Sequence, residues 1–408
     1  MIKRNKDQIL KSVNKIYSEQ NPSTYFRNYN KFKTYVANRE KWCLKLKLHK
    51  RIFNNSSLLD LGSGTGQNTI GFSIMGANCT LVEYDKKSYI KSLKLFKKFS
   101  KKKYKIFNKD IFKFKNKNKF DFVISNGVAH HTKDPKKNIE IACKFLKKNG
   151  FIILGIGNSA GFFQRALQRY VLYKVSNNNE DINNYSKLFF PEHLKRSVKF
   201  SGRTINEVIA DTYINPKIET FNISNILKIF SKHKIDFYSS YPEVKNIENF
   251  LEPVETQFKS INNKKSVYNL KLSQNMFLSE LQWLSLTNNK INNKHFYKQF
   301  KKLSILNNKL TKLINNKNTT RHKINSNIFL KFLLDYKRRI LSISKVELIN
   351  KKHNKAFINE LVTLLKLLEK KQKKHNKVKK LIKFFKKSKT LFKLYCGVGI
   401  NYFVGIKT

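Results

Sequence analysis

Residues 58–66 read Leu-Leu-Asp-Leu-Gly-Ser-Gly-Thr-Gly: an apolar run ends at Asp60 and turns into glycines at alternate positions, Gly62, Gly64 and Gly66. Lacking a Cβ, glycine lets the backbone turn tightly or lie against a ligand. The pattern predicts a strand, a sharp turn and a helix start, with main-chain N–H groups facing a small polar molecule. A dinucleotide fingerprint would need one more glycine at position 67, where Gln67 stands. The loop therefore suits a small zwitterionic nucleoside better than a pyrophosphate. Further on, Leu81-Val82-Glu83-Tyr84-Asp85 ends another apolar run in carboxylates, which accept paired hydroxyl donors better than neutral amides do. Asp110 and Ile111 follow a third such run, and Asn126-Gly127-Val128-Ala129-His130-His131 follows a fourth. An imidazole, with an ordinary pKa of roughly 6.5, suits general-base work. Adjacent histidines converge poorly on one ion, and no metal site is expected.

Strands are predicted at 57–61, 79–84, 104–108, 120–125 and 150–156, with helices near 67–75, 87–99 and 135–148 between them. That alternation predicts an α/β fold, a parallel sheet covered on both faces. Asp134-Pro135 gives the third helix a cap and a first-turn proline, and Lys147-Lys148-Asn149-Gly150 is expected to end it. Residues 1–55 read as helices, with Tyr35, Val36, Trp42 and Leu46 on an apolar stripe. A polar, partly helical stretch covers 158–222, a further strand falls at 234–240, and 245–388 is Lys- and Asn-rich and helical in pattern. The end of the chain, 401–407, returns to strand composition.

The acidic-x-Gly-x-Gly-x-Gly turn, Glu83 at its counted distance, and the Phe120–Pro135 stretch with its double histidine resemble the class I S-adenosylmethionine-dependent methyltransferases. The resemblance implies a Rossmann-like seven-stranded sheet closed by an antiparallel last strand, so that 245–388 is a helical insertion before a closing strand within 389–408. The core is then 56–244, with 158–222 as a substrate lid. It also implies S-adenosyl-L-methionine as cofactor, held by Asp60, Gly62, Ser63, Gly64 and Gly66. Glu83 would take the ribose, with Tyr84 beside it and Asp85 as the fallback. Asp110 would receive the adenine amino group while Ile111 packs on the ring, and Asn126, Gly127 and Val128 would line the methionine end. Gly155–Arg165 and Ala210–Pro216 resemble segments of a bacterial subgroup, making Asn158 and Arg165 substrate-pocket candidates. His131, Asp211 and Tyr213 are candidates to receive the substrate proton. The Asn/Asp-Pro-Pro-aromatic motif of methylases acting on amino groups of bases and glutamine is missing after the fourth strand.

The chain has 408 residues, 40% of them apolar, and 84 Lys and Arg against 26 Asp and Glu, a formal charge of +58. Such a charge attracts polyanions. The excess is mostly lysine spread through every segment alongside abundant Asn, Ile, Phe and Tyr, as AT-rich codons would give. The four cysteines are scattered, which predicts neither disulfides nor zinc and suits the cytoplasm. No apolar run is long enough for a membrane span or a signal peptide. The preferred acceptor is a small molecule, a metabolite, sugar or lipid-like compound. RNA gripped by the basic helices is the alternative, and a non-catalytic scaffold fits less well with an intact glycine turn and Glu83. Oligomeric state is not legible.

Overall fold

The computed structural model describes residues 6–20, 24–157, 162–221, 223–241, 351–392 and 400–408, with positions 331, 334, 335 and 338. The strands are β1 (Ser57–Leu61), β2 (Asn78–Glu83), β3 (Tyr104–Asn108), β4 (Phe120–Asn126), β5 (Leu146–Gly157), β6 (Ile235–Tyr241) and β7 (Ile400–Lys407). They form one sheet in the order β3-β2-β1-β4-β5-β7-β6. Strands β1 to β5 are parallel, and β7 runs antiparallel between β5 and β6. This is the seven-stranded Rossmann-like sheet that the resemblance implies. The strand order reverses between β1 and β4, and at such a switch point ligands bind beyond the carboxyl ends of the strands.

Side chains alternate across the sheet because the strand period is two residues. Leu58, Leu81, Phe122, Ile153 and Val404 face one layer, with Phe32 and Cys43 of α2 (Tyr29–Lys45), Ile70 and Phe72 of α3 (Ile70–Ile74) and Phe96 of α4 (Lys86–Phe99). Leu59, Val82, Val123, Ile152, Leu154 and Phe403 face the other, against Ile139 of α5 (Pro135–Lys144) and Phe230 of α10 (Ile223–Lys232). Asp134 caps α5 by accepting the Lys137 N–H at 3.1 Å, with Pro135 in the first turn. That helix ends at Lys144 and not at Gly150. Asn149 takes a left-handed φ of 61° that no helix accommodates, and Leu146 already begins β5. The glycine turn likewise occupies more of the chain than expected, delaying α3 to Ile70.

A third layer lies apart from the sheet. Between β5 and β6 run α6 (Phe163–Val175), α7 (Asn179–Phe189), α8 (Pro191–Ser201), α9 (Ile205–Ile209) and a π-helical turn, Ala210–Ile214. Between β6 and β7 run α11 (Lys351–Glu369) and α12 (Lys374–Lys387). These two stretches, expected as a lid and a separate insertion, share one core. Leu167, Val171, Phe189 and Ile209 pack with Phe357, Leu364, Leu381 and Phe385. Most of 245–388 otherwise lies outside the described residues. At the amino end, α1 (Lys6–Gln20) does more than lead into the domain, since it packs on both α4 and the π-turn. Among the described residues no helix is long and apolar enough to cross a membrane.

Candidate active site

Register places the candidate side chains on one edge. Asp60 pairs with Ile124, Glu83 with Asn108, Asn126 with Gly155 and Gly157 with Ile400. Asp60, Glu83, Asn126 and Gly157 thus lie at or near the carboxyl ends of the parallel strands. Gly62, Gly64 and Gly66 all have positive φ, 81°, 56° and 74°, so the turn needs the glycines that the sequence supplies. Its first N–H groups bind back onto β2, Gly62 N donating to the Val82 carbonyl at 2.8 Å. Asp60 is buried and accepts a hydrogen bond from the Thr69 hydroxyl, and burial pushes its pKa up to about 6. It braces the turn from below.

Glu83 reaches from β2 to this turn. One carboxylate oxygen accepts the Gly64 N–H at 2.7 Å and the other accepts the Asp85 N–H at 2.8 Å. Burial outweighs both hydrogen bonds and lifts its pKa to about 7. Asp85 is committed elsewhere: it is buried, caps α4 by accepting the Ser88 N–H at 2.8 Å, and accepts the Ser18 hydroxyl of α1. Both oxygens of the fallback ribose ligand thus already have partners within the protein. Tyr84 is 46% exposed, its carbonyl accepting the Asn108 amide at 3.0 Å. Asp110 accepts the Phe112 N–H at 2.9 Å and stands 3.6 Å from Lys133 Nζ, and Ile111 beside it is buried. Val128 presses against Gly62, 2.5 Å from where a Cβ would lie, so its side chain packs on the turn.

The residues fit a small nucleoside. The Ser63 hydroxyl is buried with no hydrogen-bond partner among the described residues. Gly127, at the end of β4, has φ of 75° and nothing within 4 Å of where a Cβ would be. An unmatched buried donor and an open wall therefore flank the switch point, with Glu83 one strand over.

A family model described as a methyltransferase domain matches residues 34–206. Residues 34–206 thus carry a methyltransferase domain. Solved structures similar to the chain include magnesium protoporphyrin IX methyltransferase from Synechocystis PCC 6803 with bound SAM, 11% identical over 59% of this chain and 91% of that one, TM-score 0.35. The YcgJ protein of Bacillus subtilis is 15% identical over 50% of this chain and 70% of its own, TM-score 0.31. The N-methyltransferase NodS of Bradyrhizobium japonicum WM9 is 17% identical over 32% and 72%, TM-score 0.26. No curated protein sequence matches the chain.

Just past the end of β4 lies a buried polar set. His130 and His131 form a single 3₁₀ turn after β4, and both are buried. His131 Nδ1 has two contacts, the Lys217 carbonyl at 2.7 Å and the Asn215 amide nitrogen at 3.2 Å; the shorter is to a group that only accepts, which favours the proton on Nδ1 and a lone pair on Nε2. Nε2 stands 3.7 Å from Oδ1 of Asp211 in the π-turn, while Arg203 holds Oδ2 at 2.9 Å. Burial alone would raise the Asp211 pKa, but the Arg203 guanidinium overcomes it and holds the pKa below the ordinary value. Burial lowers the pKa of both histidines, with Asp211 opposing the shift. Arg165 is half-buried, close enough to His130 to help depress it. Asn158 lies outside the described residues.

Tyr213 is corrected. Its side chain is fully buried in the helical layer, with its hydroxyl 2.7 Å from His193 Nδ1 and donating to Gln168 at 3.1 Å. The π-turn sends Asp211 toward the site and Tyr213 into the core, so Tyr213 receives no substrate proton. Two residues escape sequence reasoning: Arg203, which holds Asp211, and Tyr17 of α1, whose hydroxyl lies 3.5 Å from Asp211 Oδ1. Nothing in their local sequence signals either contact. Among the described residues no three His, Cys, Asp or Glu side chains cluster as a metal site.

Proposed function

We propose that the chain methylates a small-molecule acceptor held between the sheet edge and the helical layer. The observation that carries this is the enclosure of the edge. The last turn of helix α1 bridges it, Ser18 bonding to Asp85 on one side and Tyr17 to Asp211 on the other, and residues 215–221 run alongside, with Glu219 N donating to the His130 carbonyl at 2.9 Å. A roofed mouth suits a compact acceptor better than a polymer strand.

S-adenosylmethionine, when bound, supplies an electrophilic methyl on sulfur. The chain's own residues do the rest. Glu83 accepts the ribose hydroxyls, the Gly62–Gly66 turn with Ser63 holds the amino-acid end, and Asp110 with Ile111 borders the base. Asn126 and Gly127 form the wall nearest the methyl group. Aligning nucleophile and methyl accounts for about 7–11 kcal/mol of barrier in well-oriented reactions. His131 Nε2 takes the proton of a hydroxyl acceptor, and Asp211 stabilises the resulting imidazolium, worth roughly 10²–10⁴-fold. Arg165 faces the acceptor from α6.

Calorimetry with S-adenosylhomocysteine tests the reading. Binding of micromolar order is expected for the full chain, and Gly64→Arg, which forces a side chain onto φ of 56°, should abolish it. Binding that survives this substitution undiminished would remove the site.

A further inference from the structure

The amino-terminal segment lies outside the matched residues 34–206, yet it bonds to both sides of the mouth. On the nucleoside side, Ser18 donates to Asp85, and the Gln67 side chain accepts the Phe26 N–H at 3.0 Å while donating to the Phe26 carbonyl at 2.8 Å. On the acceptor side, Arg27 grips Glu207 with both carboxylate oxygens at 2.7 and 2.8 Å, and Tyr17 meets Asp211. The Tyr17 ring also stands edge-on to His131, centroids 6.1 Å apart. The end of α1 and residues 24–27 thus hold both sides, and Tyr17 is the point of contact with the transfer site.

Asp211 has two oxygens and three polar neighbours. Arg203 holds Oδ2; Tyr17 and His131 Nε2 both face Oδ1. A carboxylate that bonded Nε2 directly would favour a protonated imidazole and hide its lone pair. Burial keeps the Tyr17 phenol neutral, its pKa raised further by Asp211 and Tyr25, so it stays a hydrogen-bond donor. We infer that Tyr17 is a positioning residue: by donating to Asp211 Oδ1 it keeps that oxygen off His131 and leaves a neutral Nε2 open to the acceptor. The other charged and titratable groups around His131 are His130 at a ring distance of 4.1 Å, Arg203, and Arg169 of α6. None of these lies in the amino-terminal segment.

The inference rests on His131 as the proposed base, and its test needs no acceptor. The full chain, labelled at histidine Cε1 with carbon-13, is titrated by NMR as wild type and as Tyr17→Phe, with His131 assigned through His131→Gln. The phenylalanine keeps the ring against His131 and removes only the hydroxyl. The His131 midpoint should rise by about half to one pH unit, because Asp211 is freed to pair with the imidazolium. S-adenosylhomocysteine should leave the variant several-fold faster in stopped flow. An unchanged midpoint, or a lower one, overturns the positioning role even if the wild type binds the nucleoside. A wild type that does not bind it, with the midpoint shifted as expected, overturns the methyltransferase reading of the site and spares the Tyr17 contact.

Discussion

If Glu83 holds the ribose as proposed, its titration sets the pH at which the nucleoside binds. Burial holds its pKa at about 7 in the ligand-free protein, and only the ionised form accepts both ribose hydroxyls. A raised carboxylate pKa favours the folded protein at low pH and loses that contribution as pH climbs through the folded value. Ligand affinity runs the opposite way, because binding draws on the ionised form. Affinity for S-adenosylhomocysteine should therefore strengthen as pH rises, by at most about tenfold per unit, and level off above about 7. Glu83→Gln should bind more weakly by about 1.5–3 kcal/mol above that point and show no such slope; a sloping profile in the variant would assign the titration to another group. Glu83 and the three glycines were legible because their chemistry is local, one turn and one counted strand away. Asp211 was legible as a polar residue near the mouth, but its adjacent candidate Tyr213 was not separable from it, since only the π-turn distinguishes their directions. Tyr17 had no signal at all: its partner lies 194 positions along the chain.

At the level of elements, the return from the helical layer to the sheet hangs on one carboxylate. Glu360 of α11 accepts five donors from the turn after α12: the Ser388 and Thr390 hydroxyls and the N–H groups of Lys389, Thr390 and Leu391. That turn precedes β7, which pairs on both sides within the sheet. Burial opposes the charge on Glu360, but these donors outweigh it and lower its pKa. A lowered carboxylate pKa stabilises the folded state above the ordinary carboxylate range and ceases to as pH falls through the folded value. Glu360→Ala should cost about 2–4 kcal/mol at neutral pH, read as a lower urea midpoint, and the deficit should shrink in acid. An unchanged midpoint would mean the turn is held by its own backbone. The strands themselves were legible from composition, with ends within a few residues. The carboxyl end of α5 was not, because Lys147–Gly150 has the chemistry of a helix stop yet lies in β5, where a left-handed Asn149 accompanies a register shift against β4. The shared helical core was not legible either, since apolar faces separated by some two hundred residues carry no mark of which partner they meet.

Across the whole molecule, the charge of +58 has to be weighed against where the lysines stand. Helix α12 buries Val378, Leu381 and Phe385 against the helical layer and turns Lys379, Lys380, Lys383, Lys386 and Lys387 to solvent. With its apolar face already covered, it cannot also sink that face into a lipid interface. The exposed strip is therefore the described feature best suited to the RNA alternative, in which phosphates would be gripped by counterion release. Deleting the basic block would be a poor test, because α11 and α12 complete the core of α6 to α9 and the loss would unfold both. Charge reversal leaves that core untouched. If the acceptor is a small molecule, changing Lys379, Lys380, Lys383 and Lys387 together to Glu should leave S-adenosylhomocysteine affinity unaltered and remove only weak, salt-sensitive retention of total RNA. Were RNA the acceptor, wild-type retention would persist near physiological salt, labelled methyl groups would enter it, and the reversed variant would lose both. The lysines of this strip then separate a charged surface from a recognition surface, which net charge alone does not do.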